Sequence, residues 1–288
     1  MARFTENFPS LASFTVISSL YELTAKDNKS KRLTILEIPS EIEVAYGATL
    51  TIEPGVVLLR EGTPSSILVS IFGNLRMVGT SDEPITANRI YFITGKNTES
   101  NKYPSIDIGN SKLYRCAINF DDYAKNVIVK NNDILHPKDD DYDEYGRSAM
   151  LIFNGMNETI IENNIFDTET SEIYVKILCG GRASKNIFKK YTNIDNIDLV
   201  NNLFCQGIRL VQVNSAPFIR YNSFLGTSIF YTSERSDFEH DISNNYWGNA
   251  DEKTIKAMLH DKNSDLGLCG EFIYKPMLKT PHKDTPKL

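Results

Sequence analysis

Short apolar runs recur along this chain, and each is broken at its end by asparagine. The pattern stands in "VIVKNNDIL" (127–135), "TIIENNIFD" (159–167), "IDLVNNLFC" (197–205) and "DISNNYWGNA" (241–250), with a degenerate copy in "PFIRYNSFL" (217–225). Weaker copies are "ITANRIYF" with Asn88, "IDIGNSKLY" with Asn110 and "ASKNIFKK" with Asn186. The runs are too short and too rich in β-branched residues for helices. They alternate in places, as in Leu50 and Ile52, then Val57 after a Pro54-Gly55 turn. Such segments predict strands bounded by turns. Asn88 and Asn110, Asn110 and Asn132, and Asn164 and Asn186 are each 22 residues apart.

A repeat near 22 residues built from short strands predicts a β-solenoid, in which each rung bends at fixed points. Asn tolerates left-handed backbone, so it suits a bend. Stacked rungs would place equivalent asparagines one above another, with their amides bonded along the stack. The pattern thus predicts an all-β chain: a single-stranded parallel β-helix of about nine rungs over 42–248. Asn132, Asn164, Asn202 and Asn245 are expected at equivalent corners, and Ile52, Val129, Ile161, Leu199 and Ile219 in the interior. The polar stretch "HPKDDDYDEYGR" (136–147) cannot be core and reads as a loop pushed out of a rung. The rung from Asn186 to Asn202 spans only 16 residues, which leaves the register there open.

A solenoid needs caps, because its end rungs expose apolar faces and unpaired strand edges. Residues 1–41 are expected to cap one end. At the other end, Asn249 stands three before Glu252, a capping-box spacing. Ile255, Met258 and Leu259 then follow as one apolar stripe, predicting a short amphipathic C-terminal capping helix. A cap of helix and closing strand is expected over 249–278, with Trp247, the only tryptophan, packed on the last rung. The Pro- and Lys-rich 279–288 reads as a mobile tail.

Composition adds limits. Hydrophobic residues make up 41% and charged residues 24% of the 288, an ordinary globular mixture. The net charge of −6 argues against a general nucleic-acid binder. No apolar run approaches the ~20 residues that span a bilayer, and no signal peptide is visible at the start. Cys116, Cys179, Cys205 and Cys269 form no CxxC pair, which excludes a zinc knuckle; they read as buried free thiols.

Two stretches carry a family resemblance: "YGATLTIEPGVVLLREG" followed by "ILVSIFGNLRMVGTSDEPITANRIYF" (46–92), and "ISNNYWGNADEKTIKAMLHDKNSDLGLCGEFIYKPML" (242–278). Both resemble the right-handed parallel β-helix, or pectin-lyase-like, superfamily. The first is similar to the opening rungs of secreted and surface-exposed members. The second is similar to their exit corner, short helix and closing strand. The resemblance implies a right-handed coil, an extracellular or cell-surface location, and partners among glycans or cell-surface proteins.

Many members of that superfamily cleave polysaccharides. Asp121 and Asp122 in "FDDY" faintly resemble the paired aspartates of polygalacturonase-like hydrolases, but the accompanying Asn-Thr-Asp, Gly-His-Gly and Arg-Ile-Lys motifs are missing. The motifs of pectate lyases and uronate epimerases are missing too. Asp121, Asp122, Arg209 and His240 remain as catalytic candidates, against the plainer reading of a turn pair, a surface arginine and a lone histidine. Arg182, Arg209 and Arg220 lie near successive rungs and are candidates to line a groove for an acidic sugar; isolated surface arginines are more often solubilising. Asp139, Asp140, Asp141, Asp143 and Glu144 form the densest acidic run and are candidates for Ca²⁺, the one cofactor suggested, although EF-hand spacing is lacking and such runs are commonly solvated. The expected function is a non-catalytic β-helix binding or structural module, monomeric if both ends are capped, that recognises carbohydrate. The alternative is a polysaccharide lyase or glycoside hydrolase working in a groove along the coil.

Overall fold

The computed structural model describes residues 2–3, 41–58, 67–94, 103–120, 124, 126–136, 150–153, 159–168, 172–177, 181–195, 197–211, 218–226, 228–231 and 239–288. Their strands form three large sheets, of nine, eight and ten strands, and one small sheet of two. The chain visits the large sheets in rotation. Glu41–Val44 enters the ten-stranded sheet, Thr49–Ile52 the nine-stranded and Val57–Leu58 the eight-stranded; Ile67–Ile71 then pairs in parallel with Glu41–Val44. Eight such circuits follow one another as far as Ser223–Phe224, and Ile229–Tyr231 begins a ninth. Pairing is parallel throughout except for Ala2–Arg3, which runs antiparallel to Thr49–Ile52. This is an all-β, parallel arrangement compatible with a parallel β-helix.

Alternation sets the interior. Ile52, Val129, Ile161, Leu199 and Ile219 all point inward and are at most 4% exposed. The corner between the nine- and eight-stranded sheets is where the asparagines fall, and the two members of each pair divide the work. The first, Asn131, Asn163, Asn201 or Asn244, takes left-handed backbone with φ of 54–57°. Asn is the non-glycine residue that accepts this most readily. The second, Asn132, Asn164, Asn202 or Asn245, is buried and forms the ladder. Where the first Asn is absent, Lys185 and Tyr221 take the left-handed conformation themselves, at φ of 56° and 63°.

From Asn132 through Asn164, Asn186, Asn202 and Asn222 to Asn245, the backbone N–H and Nδ2 of each asparagine both donate to Oδ1 of the next, at 2.8–3.1 Å. The remaining Nδ2 hydrogen reaches a main-chain carbonyl one circuit back: Ile108, Val129, Ile161, Ala183, Leu199 and Ile219 in turn, at 2.8–3.1 Å. The ladder starts where Ser111 N–H donates to Asn132 Oδ1. Two residues beyond each amide from Asn164 onward lies a ring. Phe166, Phe188, Phe204 and Phe224 stack at centroid spacings of 4.7, 4.8 and 5.3 Å, and Trp247 continues the column 5.0 Å from Phe224.

Several details correct the sequence reading. The 16-residue step from Asn186 to Asn202 is a true short rung, with both ladder bonds made. Asn110 occupies the left-handed position and Ser111 the ladder position, so this copy is displaced by one residue. Asn88 belongs to a different corner, where Arg89 and Arg115 turn the chain from the eight- into the ten-stranded sheet. Asp251, not Asn249, caps the helix α1 (Glu252–Met258): its Oδ1 accepts the Thr254 N–H at 2.7 Å. Leu259 leaves the helix and adds a strand, Leu259–His260, beside Ile229–Tyr231. Segment 279–288 is mostly exposed and is anchored near Thr285. Thr285 is buried and donates from Oγ1 to the Tyr221 carbonyl at 2.6 Å, and the His282 ring lies 4.6 Å from that of Tyr221. Of the three described cysteines, only Cys116 is fully buried, its thiol pushed up to about 12 by burial; Cys205 is half-buried and Cys269 exposed. Burial raises the Cys205 thiol too, with the Lys189 ammonium opposing the shift. Cys179, most of 1–41 and the 137–147 insertion lie outside the described residues.

Candidate functional site

The strand alternation that buries one set of side chains presents the other set on three outer faces, and these differ in chemistry. The outer face of the nine-stranded sheet carries charges that answer one another across strands. Arg76 stands beside Asp107 in register, and Arg182 beside Asp198. Lys130 and Lys185 flank Glu162 at 3.2 and 3.9 Å. Arg220 is ion-paired with Asp241 and lies over the Phe218 ring at 5.0 Å. Partial burial opposes ionisation of Asp241, but hydrogen bonds from Ser243 and Arg220 outweigh it and hold the carboxyl below its ordinary range. Arg182 and Arg220 are therefore elements of a paired charge surface.

The ten-stranded sheet is different. One outward register runs through Leu68, Tyr91 and Ala117 and is taken up further along by Asn193, Arg209 and Ile229. The next outward register holds Ile93 and Asn119, and later Tyr231 and His260. The aromatic and polar groups on this face pair with each other. Asn119 Nδ2 donates to the Tyr91 hydroxyl at 3.1 Å. The Arg209 guanidinium lies 5.3 Å over the Tyr231 ring, and the His260 ring stacks on that of Tyr231 at 4.7 Å. A guanidinium steadied over a ring keeps its outward N–H groups available to a planar anion or to hydroxyls. Tyr side chains offer a flat apolar face with a polar tip.

The sequence candidates are thus dispersed. Arg209 sits on the aromatic face, whereas Arg182 and Arg220 sit on the charged one. His240 is 2% exposed, in the small sheet formed by Glu239–Asp241 and Glu271–Ile273, with its ring against Phe272. Asp121, Asp122, Asp139, Asp140, Asp141, Asp143 and Glu144 lie outside the described residues. Among the described residues, no group of three or more His, Cys, Asp or Glu converges as a metal site would require. Tyr91, Asn119, Tyr231 and His260 were not singled out by sequence. The signal that finds them is positional: each stands at an outward register of one sheet, which only the strand pairing reveals.

Comparison with protein-family models, with curated proteins and with solved structures finds no match.

Proposed function

We propose that this chain is a right-handed parallel β-helix of the pectin-lyase-like kind that serves as a non-catalytic binding module. In this reading it is displayed at a cell surface or secreted, and it holds carbohydrate against the outer face of the ten-stranded sheet. The supporting observation is the composition of that face, where Arg209, Tyr231 and His260 stack together and Tyr91 pairs with Asn119. Strands ~4.8 Å apart set such groups at regular intervals along the coil, a spacing suited to an extended ligand. Aromatic faces would cover the apolar side of a sugar ring, while amide and guanidinium groups would bond its hydroxyls or carboxylate.

The test is a glycan array probed with the full chain, followed by assays for new reducing ends and for unsaturated uronate on any hit. Binding without product supports the module. Product release would replace it with a lyase or hydrolase. Arg209→Ala combined with Tyr231→Ala should weaken binding at least about tenfold, the scale of losing one or two good polar and aromatic contacts. Undiminished binding would move the ligand to another face.

A further inference from the structure

His240 is a buried imidazole that the binding reading does not use. It faces the ring of Phe272 at 5.4 Å, and Phe272 in turn meets Phe230 at 5.8 Å, next to Trp247. Among the described residues, neither ring nitrogen of His240 has a hydrogen-bond partner.

Among the described residues, the charged groups of the elements around it are engaged elsewhere or point outward. On its own strand, Glu239 is exposed and Asp241 is bound to Arg220 and to the Ser243 N–H. On the paired strand, Glu271 is held by Lys262 at 2.7 Å. Asp261 accepts from the backbone N–H groups of Asn263 and Phe272. Glu252 is bound by Lys256 and Lys275. A proton added to His240 would therefore place a cation among apolar rings, with no acceptor among the described residues. Consistent with this, burial lowers the imidazole below its ordinary value of 6.5.

We propose that the two-stranded pair Glu239–Asp241 and Glu271–Ile273 is an acid-released latch on the C-terminal end of the coil, with neutral His240 as its pin. The sign follows from linkage. Above 6.5 both closed and opened forms hold a neutral imidazole, so His240 adds no pH dependence. As pH falls below 6.5, the opened form takes up a proton that the closed form resists. The opening equilibrium then rises by up to about tenfold per pH unit until the depressed value of the closed form is reached. The carboxylates of Glu252, Asp241 and Glu271 are all held below their ordinary values, so they titrate at lower pH than this window.

Trp247, the only tryptophan, reports on the cap directly. In the full chain, acrylamide quenching of its fluorescence should rise about threefold or more between about pH 7.5 and pH 5, while the far-ultraviolet β-sheet signal persists. His240→Leu should leave quenching flat over the same range. A wild-type profile without a rise, or a variant profile with the same rise, would overturn the proposal. If the variant does not fold, amide hydrogen exchange of the wild-type chain decides. Corrected for intrinsic rates, protection of the Ile242 N–H, which donates to the Ile273 carbonyl, should fall on acidification while that of Asn202 holds. Equal retention at both sites overturns the latch.

Discussion

Two columns run side by side through four successive rungs of this protein, two residues apart in each: the amides Asn164, Asn186, Asn202 and Asn222, and the rings Phe166, Phe188, Phe204 and Phe224. Both are buried and both end in the same motif, at Asn245 and Trp247. They hold the rungs by different means. Each amide in the ladder is bonded to the next through one acceptor with fixed geometry, so a rung displaced by one residue would break the column. The rings attract through area and dispersion, which vary gradually with offset; the ring planes open from 2° between Phe188 and Phe204 to 40° between Phe224 and Trp247. The amide column therefore fixes register, and the aromatic column supplies burial that tolerates change of shape.

The sharpest way to break this distinction is Asn202→Ala. The substitution leaves the Asn186 backbone N–H and one Asn186 Nδ2 hydrogen without their acceptor inside the wall, and takes one donor from the Ala183 carbonyl. At ~1–3 kcal/mol for each buried group left unpaired, the loss should be about 4 kcal/mol or more. Urea denaturation measures it, and a loss below about 1 kcal/mol would mean that water or a rearranged neighbour replaces the amide.

Trp247→Ala should come next. It empties the end of the aromatic column against Phe224 and Phe230 and should cost about 3–5 kcal/mol. A loss near zero would place the ring outside the core and end the idea that one column runs through to the cap. Phe204→Leu should then cost only ~1 kcal/mol, because an apolar side chain that roughly keeps volume is tolerated where geometry is not fixed by hydrogen bonds. If Phe204→Leu proves as damaging as Asn202→Ala, the two columns are not different in kind.

The amide column was legible in the sequence because it is local. A left-handed residue followed by a buried amide yields "NN" in four of the seven ladder positions, at 132, 164, 202 and 245. The aromatic column was equally present, as Asn-x-Phe at 164–166, 186–188, 202–204 and 222–224, and ends as Asn-x-Trp at 245–247. It went unread because an apolar residue after a turn is expected of any strand. Errors came where one residue type serves several purposes. Asn88 matched the 22-residue period yet belongs to another corner, and Asn110 is the bend and not the rung bond. At the helix, Asn249 and Asp251 both fit a cap by type; only the bond to Thr254 distinguishes them. The anchoring of 279–288 depends on Thr285 finding the Tyr221 carbonyl, a contact 64 residues away in sequence that no local pattern announces. The aromatic face of the ten-stranded sheet is likewise a product of register, since Arg209, Tyr231 and His260 are drawn together from three separate strands.

The smallest effect tests where the two columns part company. Helix α1 closes the aromatic column through Ile255 and Met258, both buried, whereas the amide column ends without it: Asn245 Nδ2 turns to the carbonyls of Ile219 and Ile242 within the wall. Asp251→Ala removes the N-cap acceptor of the Thr254 N–H and should give the smallest loss of the series. The loss should be felt on one side only. Trp247 quenching should increase, while exchange protection of the Asn202 and Asn222 backbone N–H groups, which the ladder itself satisfies, should stay unchanged. Acid should act on the same helix. The Glu252 carboxyl is held down to about 2 by its bonds from Lys275, Lys256 and Tyr274. What it contributes to the helix is therefore present above its ordinary value of 4.5 and is lost as pH falls from there toward about 2. Glu252→Gln should flatten that acid limb in the Trp247 signal and leave the ladder amides untouched. Loss of ladder protection in either variant would show that the columns unfold as one unit, with the helix holding both.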